Sequence, residues 1–151
     1  MKAYELRNAI KSDLGLMLTI AGIYASDKLP CFVLHSLPYG FIANTDTLGN
    51  PGKHWVAFYM DENGQGEFFD SLGKPPQHYC EQFKTFLTER CASIVYNART
   101  LQGIDSVLCG QYCLYYLANR CRGATMEDIL SQFTDNTSVN DMIVDQYVKL
   151  M

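Results

Sequence analysis

From Leu108 onward the residues are apolar or small for nearly three helical turns: Leu108, Cys109, Tyr112, Cys113, Leu114, Tyr115, Tyr116, Leu117 and Ala118. A helix without a polar face must be surrounded, so any fold available to this chain has this segment at its centre. Cys109 falls at its N-terminus, where unpaired backbone N–H groups and the positive end of the macrodipole favour a thiolate over a thiol, more so beside a histidine. A buried cysteine alone is an ordinary core residue. What makes this one a candidate nucleophile is its company, His54-Trp55 and Phe69-Asp70 upstream and Gln102 seven residues before it. A Cys-His pair needs a base within reach and a third group to orient that base.

The chain is long enough to enclose such a helix. Its 151 residues are 48% hydrophobic and 19% charged, with no like-charge run and no Ser/Gly/Pro-rich stretch, so residues 1–151 are expected to form one domain without a linker. A net charge of −4 argues against a nucleic-acid-binding face, which would need clustered Lys and Arg. The six cysteines, Cys31, Cys80, Cys91, Cys109, Cys113 and Cys121, have the number for three disulfides, but the chain is neither short nor loop-rich, and reduced thiols are expected. There is no Cys-x-x-Cys, and Cys109 with Cys113 is an i,i+4 pair on one helix, so no metal site is expected. The apolar run from Leu14 to Ala25 is too short to cross a membrane, and Glu5 and Asp13 interrupt the basic flank a signal peptide would need.

Periodicity supplies the remaining elements. Ala3, Leu6, Ala9 and Ile10 predict a first helix ending near Gly15, followed by a looser apolar stretch. Cys31 to Leu37 and Tyr39 to Thr45 read as short strands. His54 to Met60 and Glu67 to Leu72, on either side of Asn63-Gly64, predict a hairpin. With a loop of four or five residues centred near Glu62, His54 stands directly opposite Asp70, their Cβ atoms about 5 Å apart. A strict two-residue turn at Asn63-Gly64 would move His54 about 10 Å along the strand. The longer loop is therefore expected, with Trp55 turned the other way into the core. Pro75-Pro76 predicts the start of a helix carrying Tyr79, Phe83, Phe86 and Leu87, which leads to a strand from Ala92 to Ala98. Thr125 with Asp128 and Ser138 with Asp141 each fit a capping box, predicting two closing helices. His35 and His78 belong to no motif and read as structural and solvent-facing. The expected class is α+β, a small mixed or antiparallel sheet packed on the buried helix that presents Cys109.

Four motifs now fall into line: Lys11-Ser12-Asp13-Leu14-Gly15 with Ala43-Asn44-Thr45, Gly52-Lys53-His54-Trp55-Val56-Ala57-Phe58, Phe69-Asp70-Ser71-Leu72-Gly73, and Gln102 with Cys109-Gly110 and Tyr112-Cys113. Through them the chain resembles the adenovirus proteinase (adenain) family of cysteine proteases and, more distantly, the SUMO and ubiquitin-like-protein proteases. The resemblance implies a papain-like core and peptide hydrolysis, with Cys109 as nucleophile, His54 as base, Asp70 as its orienting group and Gln102 as oxyanion donor. Asp70 stands where that family commonly has Glu or Asp, and Asn44-Thr45 resembles the strand end that borders the family's cleft, although an ordinary edge strand is the preferred reading of that stretch. The implied substrates are viral precursor polypeptides cut after a small residue such as Gly, by a monomer in the virion and the infected cell (nucleus or cytoplasm), not secreted. An isopeptidase for ubiquitin-like modifiers, or an acyltransferase, would use the same four residues. The family's best-known members are basic and take DNA as cofactor; this acidic chain departs from them, and a DNA cofactor is not expected. Cys91, eleven residues before Gln102, matches a cysteine that joins a short activating peptide by a disulfide in mammalian adenovirus proteinases. The resemblance thus carries Cys91 as a possible peptide-binding position; the bare alternative is a helix-end cysteine of no consequence.

Overall fold

The computed structural model describes residues 1–30 and 36–151. The expected central helix is α4 (Cys109–Cys121), the last of four helices to appear along the chain after α1 (Ala3–Ser12), α2 (Leu14–Thr19) and α3 (Glu81–Arg90). The short α5 (Met126–Leu130) and α6 (Thr137–Lys149), as long as α4 itself, follow it. Five strands, β1 (Ile20–Tyr24), β2 (Tyr39–Asn44), β3 (Trp55–Met60), β4 (Gln65–Phe69) and β5 (Ser93–Tyr96), form one sheet in that spatial order. The β2, β3 and β4 pairings are antiparallel, while β1 and β5 flank them in parallel. The sheet is therefore mixed and the class α+β, as expected. Among the described residues no helix is long and apolar enough to cross a membrane.

Two apolar layers enclose the sheet, which is why β3 shows so little alternation in sequence: both of its faces are covered. On one side Ile42, Ala57, Tyr59 and Phe69 meet Tyr112, Cys113, Tyr116 and Leu117 of α4, with Phe69 stacked on Tyr116 at 4.3 Å between centroids. On the other side Phe41, Phe58 and Phe68 pack with Phe83 and Phe86 of α3. Among the described residues one ion pair joins the sheet to α4, where Arg120 meets the buried Glu67 carboxylate at 2.9 Å and lies over the Tyr59 ring. This bidentate contact satisfies a charge that could not otherwise be buried.

Several sequence expectations change in the folded chain. The loose apolar stretch after α1 is a second helix and a strand: Asp13 caps α2 by accepting from Leu16 N–H at 3.0 Å, and β1 pairs with β2 while Ile20 and Ile23 enter the core on the α4 side. Most of the expected strand from Cys31 to Leu37, together with Cys31 and His35, lies outside the described residues. The Pro75-Pro76 opening makes a single 3-10 turn, Pro76–His78, and α3 starts afresh at Glu81, so Tyr79 leaves the helical stripe. Thr125 and Asp128 form the expected capping box. The last helix is capped instead by Asn136, whose side chain accepts from Ser138 and Val139 N–H groups, which releases Asp141 to bond Tyr112. Cys80, Cys91, Cys109, Cys113 and Cys121 are free thiols.

Candidate active site

The hairpin that carries His54 and Asp70 has the expected four-residue loop, but its centre is one residue later than expected. Met60 pairs with Gly66 and Ala57 with Phe69, so the register is centred on Asn63 rather than Glu62. The cause is Asp61, whose Oδ1 accepts from both Asn63 N–H and Gln65 N–H at 2.9 Å and draws the chain round in an Asx-type turn. Extending that register sets His54 opposite Leu72 and Asp70 opposite Val56. The two are diagonal neighbours on one face rather than a direct pair, still within reach of long side chains. His54 Nε2 meets Asp70 Oδ1 at 2.6 Å.

Asp70 is fully buried and saturated with donors. Oδ1 also accepts from Leu72 N–H at 3.0 Å, and Oδ2 accepts from Lys74 N–H at 3.0 Å and from the Tyr79 hydroxyl at 2.6 Å. Burial opposes the ionised carboxylate, but the hydrogen bonds and charge of His54 together with the Tyr79 and Leu72 donors outweigh it, and its pKa falls below the usual value. Asn97 grips the backbone of the same residue from the far side, accepting from Asp70 N–H at 2.8 Å and donating to Asp70 O at 2.6 Å. The chain then turns sharply, Gly73 N–H donating to Asp70 O at 2.8 Å. Gly73 has φ of +73°, and a Cβ there would lie 2.6 Å from the Arg99 backbone, so only glycine fits both the conformation and the space.

Cys109 begins α4 and lines the same cleft as the His54 imidazole. Since Nε2 is engaged by Asp70, Nδ1 is the ring nitrogen left to serve the thiol. Burial pushes the Cys109 thiol up, but the hydrogen bond and positive charge of His54, the Trp55 N–H and the nearby α-amino group bring it below its ordinary value. Burial likewise works against a charged imidazole, yet Asp70 on one side and Cys109 on the other raise His54 to about 9. Both shifts favour the same state, a thiolate–imidazolium pair that persists from the depressed pKa of the thiol up to about 9. At about pH 6, iodoacetamide should therefore alkylate Cys109 much faster than an ordinary thiol of pKa about 8.5. Cys80, Cys91, Cys113 and Cys121 are all pushed up by burial and should lag. In His54→Ala the Cys109 reaction should fade at that pH and return only in alkali; peptide mapping by mass spectrometry reads both effects.

Gln102 lies in the same cleft as His54 and Cys109. Its carboxamide is held at both ends, Oε1 accepting from Ser71 Oγ–H at 2.6 Å and Nε2 donating to Ser106 O at 2.7 Å. An amide nitrogen has two hydrogens, so one N–H is left for a ligand. The Cys109 N–H, first in its helix, has no intrahelical acceptor either. His54, Gln102 and Cys109 are each no more than 9% exposed, at the floor of a cleft of about 770 Å³ between the Asn44–Trp55 wall and the loop that leads from Gln102 to Cys109, and Asp70 is sealed behind His54. Asn44 and Thr45 border it, at the end of β2, which lies between β1 and β3 rather than at the sheet edge. Trp55 is half-buried against the α4 side of the core.

Cys91 is not brought to this site. It follows α3, and its sulfur is tucked against β4 where a Cβ on Gly66 would come within 2.6 Å of it. Sequence reasoning missed Tyr79, Asn97 and Ser71. Ser71 stood beside Asp70 in the quoted motif, whereas Tyr79 was indistinguishable from its apolar helical neighbours and Asn97 lay hidden at the end of an expected strand.

Residues 20–142 match the adenovirus endoprotease family model. A putative thiol protease of Acanthamoeba polyphaga mimivirus is 31% identical over 107 residues, 66% of this chain and 35% of the relative. A cysteine protease of African swine fever virus is 28% identical over 113 residues, 69% of this chain and 40% of the relative. The chain thus spans little more than a third of the length of these two curated relatives. The crystal structure of the African swine fever virus protease is similar in fold, with a TM-score of 0.59 at 19% identity over 93% of this chain and 63% of that one.

Proposed function

Because this chain belongs to the adenovirus endoprotease family, we propose that it is a cysteine endopeptidase acting on viral or virus-like precursor polypeptides, cut after a small residue such as Gly. The observation that carries this reading is the His54 imidazole bonded to a saturated carboxylate and sharing its cleft with a cysteine at the N-terminus of a buried helix. The Cys109 thiolate attacks the scissile carbonyl carbon. As the C–S bond forms, the carbonyl electrons move to oxygen, where the free Gln102 N–H and the Cys109 N–H receive the charge. Collapse expels the amine, which takes its proton from the His54 imidazolium, and a thioester remains. Water then attacks that thioester while His54 accepts its proton, and collapse releases the acid and restores the thiolate. Asp70 keeps the imidazole in the tautomer and orientation both steps require.

The test is to incubate the purified chain with an unbiased peptide library and identify the cut bonds by mass spectrometry. Cleavage after small residues is expected; an intact library would overturn the endopeptidase reading. Fluorogenic ubiquitin and SUMO substrates in parallel separate an isopeptidase from an endopeptidase, and acetyl-CoA with a protein acceptor separates an acyltransferase. Activation by a disulfide-linked peptide at Cys91 is part of the same proposal, since β5 is an edge strand that offers unpaired backbone groups beside it. Such a peptide would have to draw the Cys91 sulfur out from beneath Leu87 and Gly66. Running the digest with precursor-derived peptides, under oxidising and reducing conditions, decides whether the chain needs one.

A further inference from the structure

We propose that Ser71 is a positioning residue, one that sets the orientation of the Gln102 carboxamide and so aims its free N–H at the developing oxyanion; the inference rests on the endopeptidase reading above. Ser71 is 1% exposed, and its hydroxyl has a single acceptor, Gln102 Oε1 at 2.6 Å. Its carbonyl oxygen accepts from Gln102 N–H at 3.1 Å and from Leu101 N–H at 2.8 Å, so one residue grips both the backbone and the side chain of Gln102. A carboxamide can sit either way round, and the difference here is chemical. In the observed orientation Nε2 faces the Ser106 carbonyl and Oε1 faces a hydroxyl donor. Rotated by half a turn, Oε1 would confront the Ser106 carbonyl, acceptor against acceptor, and no hydrogen would be presented to a substrate.

Ser71 also follows Asp70 directly. The backbone that places the carboxylate behind His54 therefore places the hydroxyl behind Gln102, so the two halves of the site share a support where the chain turns just after β4. The Ser71 hydroxyl touches no reacting atom. Its effect passes wholly through the donor, which is useful for catalysis only if held where charge appears.

The experiment uses a fluorogenic version of the fastest-cut library peptide and compares wild type, Ser71→Ala, Gln102→Ala and the double variant. Ser71→Ala should lower kcat by roughly 10- to 100-fold with KM within about twofold, since a misplaced group loses up to about 10²-fold. The double variant should be no slower than Gln102→Ala, because a residue that acts through Gln102 has nothing to add once that donor is gone. The rate of Cys109 alkylation at about pH 6 should match wild type, as the thiolate–imidazolium pair is untouched. A merely structural residue would add its own loss in the double variant and disturb alkylation as well. Should Ser71→Ala fail to fold, Ser71→Cys, close in volume and only a weak donor, must show the same kcat loss. Wild-type kcat in Ser71→Ala, or additive losses in the double variant, overturns the role of Ser71. Absence of cleavage by wild type overturns instead the endopeptidase reading on which it rests.

Discussion

Cys109→Ala is expected to lower turnover by roughly 10⁶-fold, the scale of losing the nucleophile from a unit of interdependent groups. Neither His54, Asp70 nor Cys113 can take its place. His54 has no covalent role, Asp70 is sealed by four donors, and the other thiol on the same helix face, Cys113, is buried and pushed well above its ordinary pKa. Removing the thiolate also takes away one of the two anions that raise His54, so the imidazole should titrate lower in the variant. His54→Ala should lose about as much, since the thiol is then uncharged at neutral pH and the leaving amine has no proton donor. The double variant should be little worse than either single one, as expected of groups that act together. In wild type, the rate should fall with increasing pH through about 9 as the imidazolium loses its proton, and with decreasing pH through the depressed pKa of the thiol. Stopped and continuous peptide assays, with circular dichroism to confirm the fold, read these outcomes. Wild-type turnover by Cys109→Ala would end the cysteine-protease reading.

Gln102→Ala should lower kcat by roughly 10²- to 10³-fold, the typical loss for one oxyanion donor. The loss belongs in kcat because the free Nε2 hydrogen bonds most strongly when the carbonyl oxygen has become an anion, not in the substrate complex. The variant also strands the Ser71 hydroxyl and the Ser106 carbonyl, both of which the carboxamide satisfies, so some loss of stability is expected alongside it. The two effects separate experimentally: urea unfolding reports the stranded groups, and kcat measured well below the transition reports the donor. Gln102→Glu is the sharper control, keeping the acceptor for Ser71 while replacing the donor with an oxygen. A change confined to KM in either variant would contradict the oxyanion assignment.

How far such a site can be read from residues alone depends on whether each placement is local. The buried helix was legible because its lack of a polar face is a property of the segment itself, and with it came Cys109 at the helix N-terminus. The Thr125 and Asp128 cap was legible for the same reason, all its partners lying within one turn. Ser138 with Asp141 made an equally good local pattern and was wrong, because Asn136 offered its side chain to the same end and Tyr112 claimed the carboxylate from another helix. The strand at Ile20–Tyr24 was missed because it has no alternation of its own and exists by virtue of its neighbour β2.

The sequence by itself determined the central helix and the α+β class, and it nominated His54, Asp70, Gln102 and Cys109 for the site, since their types and order suffice to single them out. Only the tertiary structure decided how they meet. The Asp61 turn shifted the hairpin by one residue at its centre and made His54 and Asp70 diagonal partners. The break between the 3-10 turn and α3 swung the Tyr79 hydroxyl onto Asp70. Ser71 and Ser106, thirty-five positions apart in the chain, came to hold opposite ends of one carboxamide. Each of these depends on contacts between segments far apart in sequence, and the strength of a hydrogen bond between them follows from distance and angle, which the order of residues does not contain.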